Sequence, residues 1–157
     1  MKVLVVSKSF IIREIMEIVF GSNFENCIVK SCKELKETVD LDLSSTEIVV
    51  VDVENDIIKY LATIKQSYKD LKVIVLNRKG DKKILLNCLK HKIESCIFDI
   101  HEKQDLIYII HTIRKGKKYY DLDMLYDMVD EPLYNANNIE RLTSREKEVL
   151  DMVVSGL

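Results

Sequence analysis

The chain of 157 residues is long enough for one domain with a short appendage, and its 47% apolar and 32% charged residues are typical of a globular protein. Its formal net charge of −2 excludes a polycation built to bind nucleic acid along its whole length. It has no apolar run of the roughly 20 residues that span a membrane, and residues 1–10 lack the long apolar core and the cleavage site expected of a signal peptide. The four cysteines lack zinc spacing, so we expect reduced thiols in the cytoplasm and no bound metal.

Short apolar runs rich in β-branched residues recur at 3–6, 48–51 and 73–76, with a weaker run at 96–98. They do not alternate with polar residues, which is typical of strands buried on both faces. Segments with helical spacing lie between them at 10–20, 57–64, 84–89 and 106–113, and a less regular strand and short helix are predicted near 27–30 and 33–39. This alternation predicts an α/β fold, a doubly wound five-stranded parallel sheet.

Polar residues follow the apolar runs at the points where the predicted strands end. Ser7 and Lys8 follow the first run, Asp52 follows the third strand, Asn77 follows the fourth, and Asp99 lies just beyond the fifth. In doubly wound sheets, ligands bind beyond the carboxyl ends of the strands. The candidate functional site is therefore at this edge.

The charge changes sign along the chain. Residues 119–157 hold three Lys and Arg against nine Asp and Glu, a charge of −6, which leaves +4 for residues 1–118. The stretch Asp121–Glu131 has five acids and no base, and the only proline, Pro132, follows it. We therefore expect a domain at 1–118, then an acidic, partly helical linker at 119–141. A separate terminal segment occupies 142–157.

The terminal segment, LTSREKEVLDMVVSGL, resembles the opening of the helix-turn-helix domain of NarL/LuxR-type response regulators. Residues 114–119 similarly resemble the end of the last receiver helix in that family, and the order of strands over 1–118 resembles its receiver domain. The matching positions of the terminal segment are Leu142, Thr143, Arg145, Glu146, Glu148, Val149, Leu150, Gly156 and Leu157. The resemblance implies the first helix of a DNA-binding domain without its turn and recognition helix. DNA would then be contacted only through a domain outside this chain.

The resemblance also implies roles for the polar residues at the carboxyl ends of the predicted strands. In receivers, two acids after the first strand and one after the third hold Mg²⁺, and the third acid is phosphorylated; a hydroxyl and a lysine contact the phosphoryl group. Asp52 occupies the phosphoacceptor position. The other positions are degenerate: Ser7 and Lys8 stand for the acid pair, Asn77 for the hydroxyl residue, Asp99 for the lysine and Cys96 for the aromatic switch residue. Asn55 and Asp56 replace the usual Met-Pro.

The lysine at an acidic position argues against phosphorylation of Asp52. A unit charge and a divalent cation about 4 Å apart repel by about 8 kcal/mol before relaxation, at an effective dielectric near 20. Without Mg²⁺ the charge that develops during phosphoryl transfer is not neutralised, which also argues against a partner histidine kinase. We hypothesise that Lys8 pairs with Asp52, and with Asp99 too. The alternative is that the site has drifted and Lys8 points into water.

These features predict a phosphorylation-independent receiver domain that signals by protein–protein contact, most simply as a homodimer. The expected contact surface contains Lys90, His91, Asp99, His101, Tyr108 and His111, and a further helix is expected around Leu122–Val129. No GxSxG, P-loop or GxGxxG motif is present, so we expect neither an enzyme nor a cofactor. Two alternatives stay open: a receiver still phosphorylated at Asp52, and a stand-alone interaction module that never meets DNA. The length of the encoded protein beyond Leu157 would distinguish the stand-alone interaction module from a DNA-binding regulator.

Overall fold

The computed structural model describes residues 1–35, 43–53, 57–121, 123–126 and 144–156. The strands are β1 (Lys2–Val6), β2 (Ile28–Cys32), β3 (Ile48–Asp52), β4 (Lys72–Leu76), β5 (Ser95–Ile97) and β6 (Tyr119–Tyr120). The helices are α1 (Phe10–Asn23), α2 (Ile57–Ser67), α3 (Lys82–Lys90), α4 (Lys103–Arg114) and α5 (Ser144–Gly156), with a 3-10 turn at Leu43–Ser45.

The strands form one parallel sheet in the order β2-β1-β3-β4-β5-β6. This confirms the doubly wound α/β fold, with six strands rather than the five that were predicted. The sixth strand has only two residues, too few to form an apolar run in the sequence. It joins the sheet because Ser95 pairs with Tyr119 and the Tyr119 N–H donates to the Glu94 carbonyl at 2.9 Å.

Alternate residues of the central strands supply two cores, one on each side of the sheet. The alternation is clearest in β3, where Ile48 and Val50 face α1 and α4 while Val49 and Val51 face α2 and α3. All four side chains are almost fully buried. Burial on both faces explains why these strands read as continuous apolar runs.

Two predicted helices are only partly described. Residues 36–39 of the helix expected at 33–39 lie outside the described residues. So do Leu122 and residues 127–129 of the helix expected in the linker, whereas residues 123–126 are helical, with Met124 and Leu125 buried against the α2/α3 core. Among the described residues, no helix is long and apolar enough to cross a membrane.

Candidate functional site at the carboxyl edge of the sheet

Asp52 ends β3 and lies at the centre of a small polar cluster. The Arg78 guanidinium binds its carboxylate with two nitrogens: Nε donates to Oδ1 at 2.9 Å and Nη2 donates to Oδ2 at 2.8 Å. The Ser7 hydroxyl donates to Oδ2 at 2.6 Å. The Asp52 side chain is only 5% exposed, whereas that of Arg78 is 53% exposed. The carboxylate predicted to be the phosphoacceptor is thus paired with a cation that is itself about half exposed.

The turn between β4 and α3 presents Arg78 to Asp52. Asn77 is buried and uses its side chain within this turn: its Nδ2 donates to the Asp81 carbonyl at 2.8 Å, and its Oδ1 accepts from the Asp81 N–H at 3.0 Å. Gly80 has a φ of +64°, and a Cβ there would lie 2.8 Å from the Phe98 ring. The turn therefore requires glycine at this position. Asn77 stabilises the turn that carries the cation.

Ser7 follows β1 and links it to β2 and β3. Its N–H donates to the Cys32 carbonyl at 3.1 Å, and its hydroxyl also accepts from the Ser9 N–H at 3.1 Å. The Ser7 carbonyl accepts from Arg13 Nη1 at 2.5 Å. Because Ser7 is fully buried and both its backbone and its hydroxyl are hydrogen-bonded, its hydroxyl is fixed toward Asp52.

Lys8 and Asp99 make different contacts from those hypothesised from the sequence. The Lys8 ammonium lies 3.9 Å from Glu34, and both side chains are more than half exposed. Asp99 accepts the Ile100 N–H at 2.8 Å and lies 3.7 Å from His101 Nδ1. The predicted pairing of Lys8 with Asp52 is therefore wrong: the cation paired with Asp52 is Arg78. Its planar guanidinium fits both carboxylate oxygens, which an ammonium cannot do.

Cys96, which the resemblance aligns with an aromatic switch residue, is fully buried in β5 and contacts Cys88 of α3. A hydrogen bond with Cys96, reinforced by burial, raises the pKa of the Cys88 thiol far above its usual range. Both cysteines are thus residues of the core. Neither reaches solvent as an exposed switch side chain would.

The residues at this edge do not fit Mg²⁺, which the receiver resemblance implies. This cation prefers several oxygen ligands in tight octahedral geometry. In the described cluster the carboxylate is that of Asp52, and both of its oxygens already accept hydrogen bonds from Arg78. Among the described residues, no three His, Cys, Asp or Glu side chains are grouped so that they could hold a metal. Asn55 and Asp56, which follow the phosphoacceptor position, lie outside the described residues.

The terminal helix packs on the same side of the sheet as α3. Val149 and Leu150 are buried, Leu150 lies in the α2/α3 core, and Glu146 pairs with Lys90 of α3 at 3.3 Å. Arg145 and Gly156 lie within α5, and the helix ends at Gly156. Leu142, Thr143 and Leu157 lie outside the described residues. The segment singled out by its resemblance therefore forms a helix that contacts the receiver-like domain.

Arg78 is the site residue that was missed from the sequence. Both of the residues that directly follow the first strand, Ser7 and Lys8, were predicted to belong to the site. After the fourth strand, only the first residue, Asn77, was included in the prediction. Arg78 is the second residue after β4, at the position equivalent to that of Lys8 after β1. Taking two residues after every strand would have found it.

No protein-family model matches the chain. The oxygen regulatory protein NreC of Staphylococcus aureus is 25% identical over 101 residues, which cover 59% of this chain and 46% of that protein. A LuxR family DNA-binding response regulator from Silicibacter pomeroyi shares the fold with a TM-score of 0.65 and 17% identity, over 78% of this chain and 98% of that chain. These similarities support the resemblance of the chain to receiver domains of NarL/LuxR-type response regulators.

A solved structure of two RcsB dimers bound to two parallel DNAs is also similar to this chain. It has a TM-score of 0.66 and 22% identity, over 100% of this chain and 78% of that chain. The match to NreC shows that the present chain spans about half the length of its curated relatives.

Proposed function

We propose that this receiver domain works without phosphorylation of Asp52, because Arg78 permanently neutralises the phosphoacceptor carboxylate. The observation that supports the proposal is that two nitrogens of Arg78 donate hydrogen bonds to the Asp52 carboxylate. The Ser7 hydroxyl donates a further hydrogen bond to the same carboxylate. Phosphorylation needs one carboxylate oxygen free to attack and a metal to neutralise the incoming charge. In this cluster both oxygens accept hydrogen bonds from a guanidinium, which occupies the space on the solvent side.

The degenerate positions support this proposal together rather than singly. Lys8 replaces a metal-binding acid, Asn77 supports the Arg78 turn, and Asp99 pairs with His101. Cys96 is buried beside Cys88. In the resembled family these positions hold a metal ligand, a residue that contacts the phosphoryl group or the aromatic switch residue. Here each of these side chains makes a different contact. The site is rebuilt as a fixed ion pair.

The proposed role of the whole protein is transcription regulation through a DNA-binding domain. In this scheme residues 1–118 are the receiver, 119–141 the linker and 142–157 the start of a LuxR-type helix-turn-helix domain. The likeness to DNA-bound RcsB dimers supports an output by homodimerisation that positions DNA-binding domains. A reading frame that continues past Leu157 with a turn and recognition helix would support this role. A protein that ends there would favour the stand-alone interaction module.

The experiment is intact mass spectrometry after incubation with Mg²⁺ and acetyl phosphate. Wild type, Asp52→Asn and Arg78→Ala are compared, with Lys79→Ala as the control for loss of a neighbouring cation. We expect no phosphoryl adduct on wild type or Lys79→Ala. An adduct on wild type that disappears in Asp52→Asn would overturn the proposal and support a conventional receiver.

Two further variants separate the contributions of Arg78 and Lys8. We expect the double variant Arg78→Ala, Lys8→Asp to bind Mg²⁺ more tightly than Lys8→Asp alone, because it frees Asp52 and adds a second carboxylate. Displacement of bound Mn²⁺ by Mg²⁺, followed by electron paramagnetic resonance, measures this difference. Equal affinities would mean that Arg78 does not block the carboxylate.

A further inference from the structure

A cavity of about 560 Å³ lies between α3, the segment around β6 and α5. Small-molecule sites in proteins have volumes of about 300 to 1,000 Å³, with mostly apolar walls and a few convergent polar groups. Apolar side chains of α3, α5 and the helical residues 123–126 form much of this wall: Leu89, Leu125, Val149 and Val153. The basic residues that line it are Lys90, Lys92 and Lys118. The cavity therefore has the size and the mixed lining of a small-molecule site.

The lysines of the cavity outnumber the carboxylates that neutralise them. Lys90 pairs with Glu146 at 3.3 Å. Glu148 is the only carboxylate among the described residues that line the cavity. The Lys118 Nζ donates to the Lys92 carbonyl at 3.1 Å, and no carboxylate in the described part of the chain forms an ion pair with either lysine. Since an ammonium has three protons to donate, both groups keep donors for a ligand.

The positive charge around the cavity affects Lys118 itself. Partial burial lowers the pKa of its ammonium, and repulsion by Lys65 and Lys92 lowers it further, whereas Glu94 raises it. An anion beside this ammonium would stabilise its charged form against both burial and repulsion. The cavity therefore favours a ligand that carries a negative charge.

Lys92 has a backbone conformation that glycine adopts more easily. Its φ is +55°, in the left-handed region, at the turn that ends α3. The Lys92 N–H donates to the Leu89 carbonyl at 3.1 Å, and the next N–H along the chain donates to the Cys88 carbonyl at 2.9 Å. This pair of hydrogen bonds ends many helices, usually with glycine at the left-handed position. A strained lysine that lines a cavity is an observation independent of the charge count, and it indicates a role for the same side chain.

We propose that this cavity binds a small organic anion with an apolar body, such as a medium-chain carboxylate. Its negative group lies between the ammonium groups of Lys92 and Lys118, and its apolar part packs against the leucine and valine side chains of the wall. Because such a ligand contacts α3 and α5 together, its binding holds α5 on the receiver-like domain. The site itself is independent of the proposed function, whereas its use as an input signal in place of phosphorylation rests on that function.

Isothermal titration calorimetry with the whole 157-residue chain tests the proposal with four probes. Octanoate has both the negative charge and the apolar chain, acetate has only the charge, 1-octanol has only the chain, and octylammonium has the opposite charge. We expect octanoate to bind about tenfold or more tightly than each of the other three. The proposal is overturned if octanoate does not bind, or if 1-octanol or octylammonium binds as tightly.

The variant Lys92→Gly separates ligand binding from the stability of the fold. Since glycine relieves the strained backbone, we expect this variant to unfold at the same urea concentration as wild type or at a higher one. Its affinity for octanoate should nevertheless fall about tenfold, because one of the two ammonium groups is lost. A purely structural role of Lys92 would leave the affinity unchanged.

Three further variants locate the anion within the cavity. Lys118→Met should also weaken octanoate binding about tenfold, whereas Glu148→Gln should strengthen it, because a carboxylate is removed from the wall. Lys83→Met is the matched control, since Lys83 lies near the start of α3 and does not line the cavity. Octanoate affinities equal to wild type in both Lys92→Gly and Lys118→Met would overturn the assigned site.

Hydrogen–deuterium exchange with and without octanoate tests whether the ligand joins α5 to α3. We expect bound octanoate to slow exchange in α5 of wild type, and to slow it less in Lys92→Gly at the same concentration. Exchange in α5 that does not respond to bound octanoate would overturn this part of the proposal. A phosphoryl adduct on Asp52 of wild type would instead overturn the proposed function and leave the ligand site unaffected.

Discussion

The two sides of the sheet differ in whether another part of the chain covers their outer helices. On the α2/α3 side, α5 packs against α3, and charged groups between elements are paired within the chain, as in Lys65 with Glu94 and Lys90 with Glu146. On the α1/α4 side, large apolar residues of α1 face solvent. The terminal helix of the chain therefore covers part of one side, while on the other side these apolar side chains of α1 stay exposed.

The largest expected effect on stability comes from the ion pair between Lys65 and Glu94 on the α2/α3 side. The Glu94 carboxylate pairs with Lys65 and accepts the Val73 N–H at 2.8 Å, and both charged side chains are mostly buried. Glu94→Ala should lower the free energy of unfolding by about 3 kcal/mol, because it leaves Lys65 and a buried N–H without their acceptor. Urea unfolding followed by circular dichroism measures the change.

The matched control for this prediction replaces both charges by methionine, in Lys65→Met with Glu94→Met. Since an apolar pair leaves no buried charge unpaired, the double variant should lose much less stability than Glu94→Ala. Equal losses would show that packing around the pair, rather than its charge, stabilises this side.

The second prediction concerns the helix that closes the α2/α3 side. Leu150 is buried in that core, whereas Met152 of the same helix is 63% exposed. Leu150→Ala should cost about 2 kcal/mol of stability, limited by the free energy with which α5 docks. Hydrogen–deuterium exchange should become faster in α5 and at the outer face of α3.

Met152→Ala is the control for Leu150→Ala and should change exchange very little. Similar rates in wild type and Leu150→Ala would contradict the contrast between the two sides, because α5 would then not be held by its buried face. The same experiment reports on the proposed regulator, since α5 begins its proposed DNA-binding domain.

The sequence was sufficient to predict most of the fold because β1, β3 and β4 are buried on both faces. Their residues form apolar runs that need no tertiary information to recognise, and the helices between them keep a regular spacing. The edge elements were harder. β2 has mostly exposed side chains, and its predicted bounds of 27–30 fall one residue early at the start and two at the end. β6 depends on a two-residue pairing with β5, which leaves no periodic signal in the sequence.

The location of the candidate site could be predicted from the sequence, but the contacts within it could not. The rule for parallel sheets brought Ser7, Asp52 and Asn77 to one edge, and the structure joins Ser7 to Asp52 there. The partner cation depends on how the Asn77 turn orients Arg78, which residue spacing does not encode. Asp99 follows β5 at the same edge but turns toward His101, because its own side chain accepts the next N–H in the loop.

The smallest prediction tests the closed side through pH. His91 caps the end of α3 beside Lys90, and burial, with repulsion by Lys90 and Lys59, lowers the pKa of its imidazole below its usual value. The unfolded chain therefore binds a proton more readily, so the contribution of His91 to stability is present above the ordinary histidine pKa and is lost as pH falls through the lower folded pKa.

His91→Gln should reduce the loss of stability between about pH 7.5 and about pH 5.5. Urea unfolding at both pH values measures it, with His101→Gln as the control because the His101 side chain is 82% exposed. An unchanged pH dependence in His91→Gln would mean that burial and the neighbouring lysines do not destabilise the protonated form of this histidine.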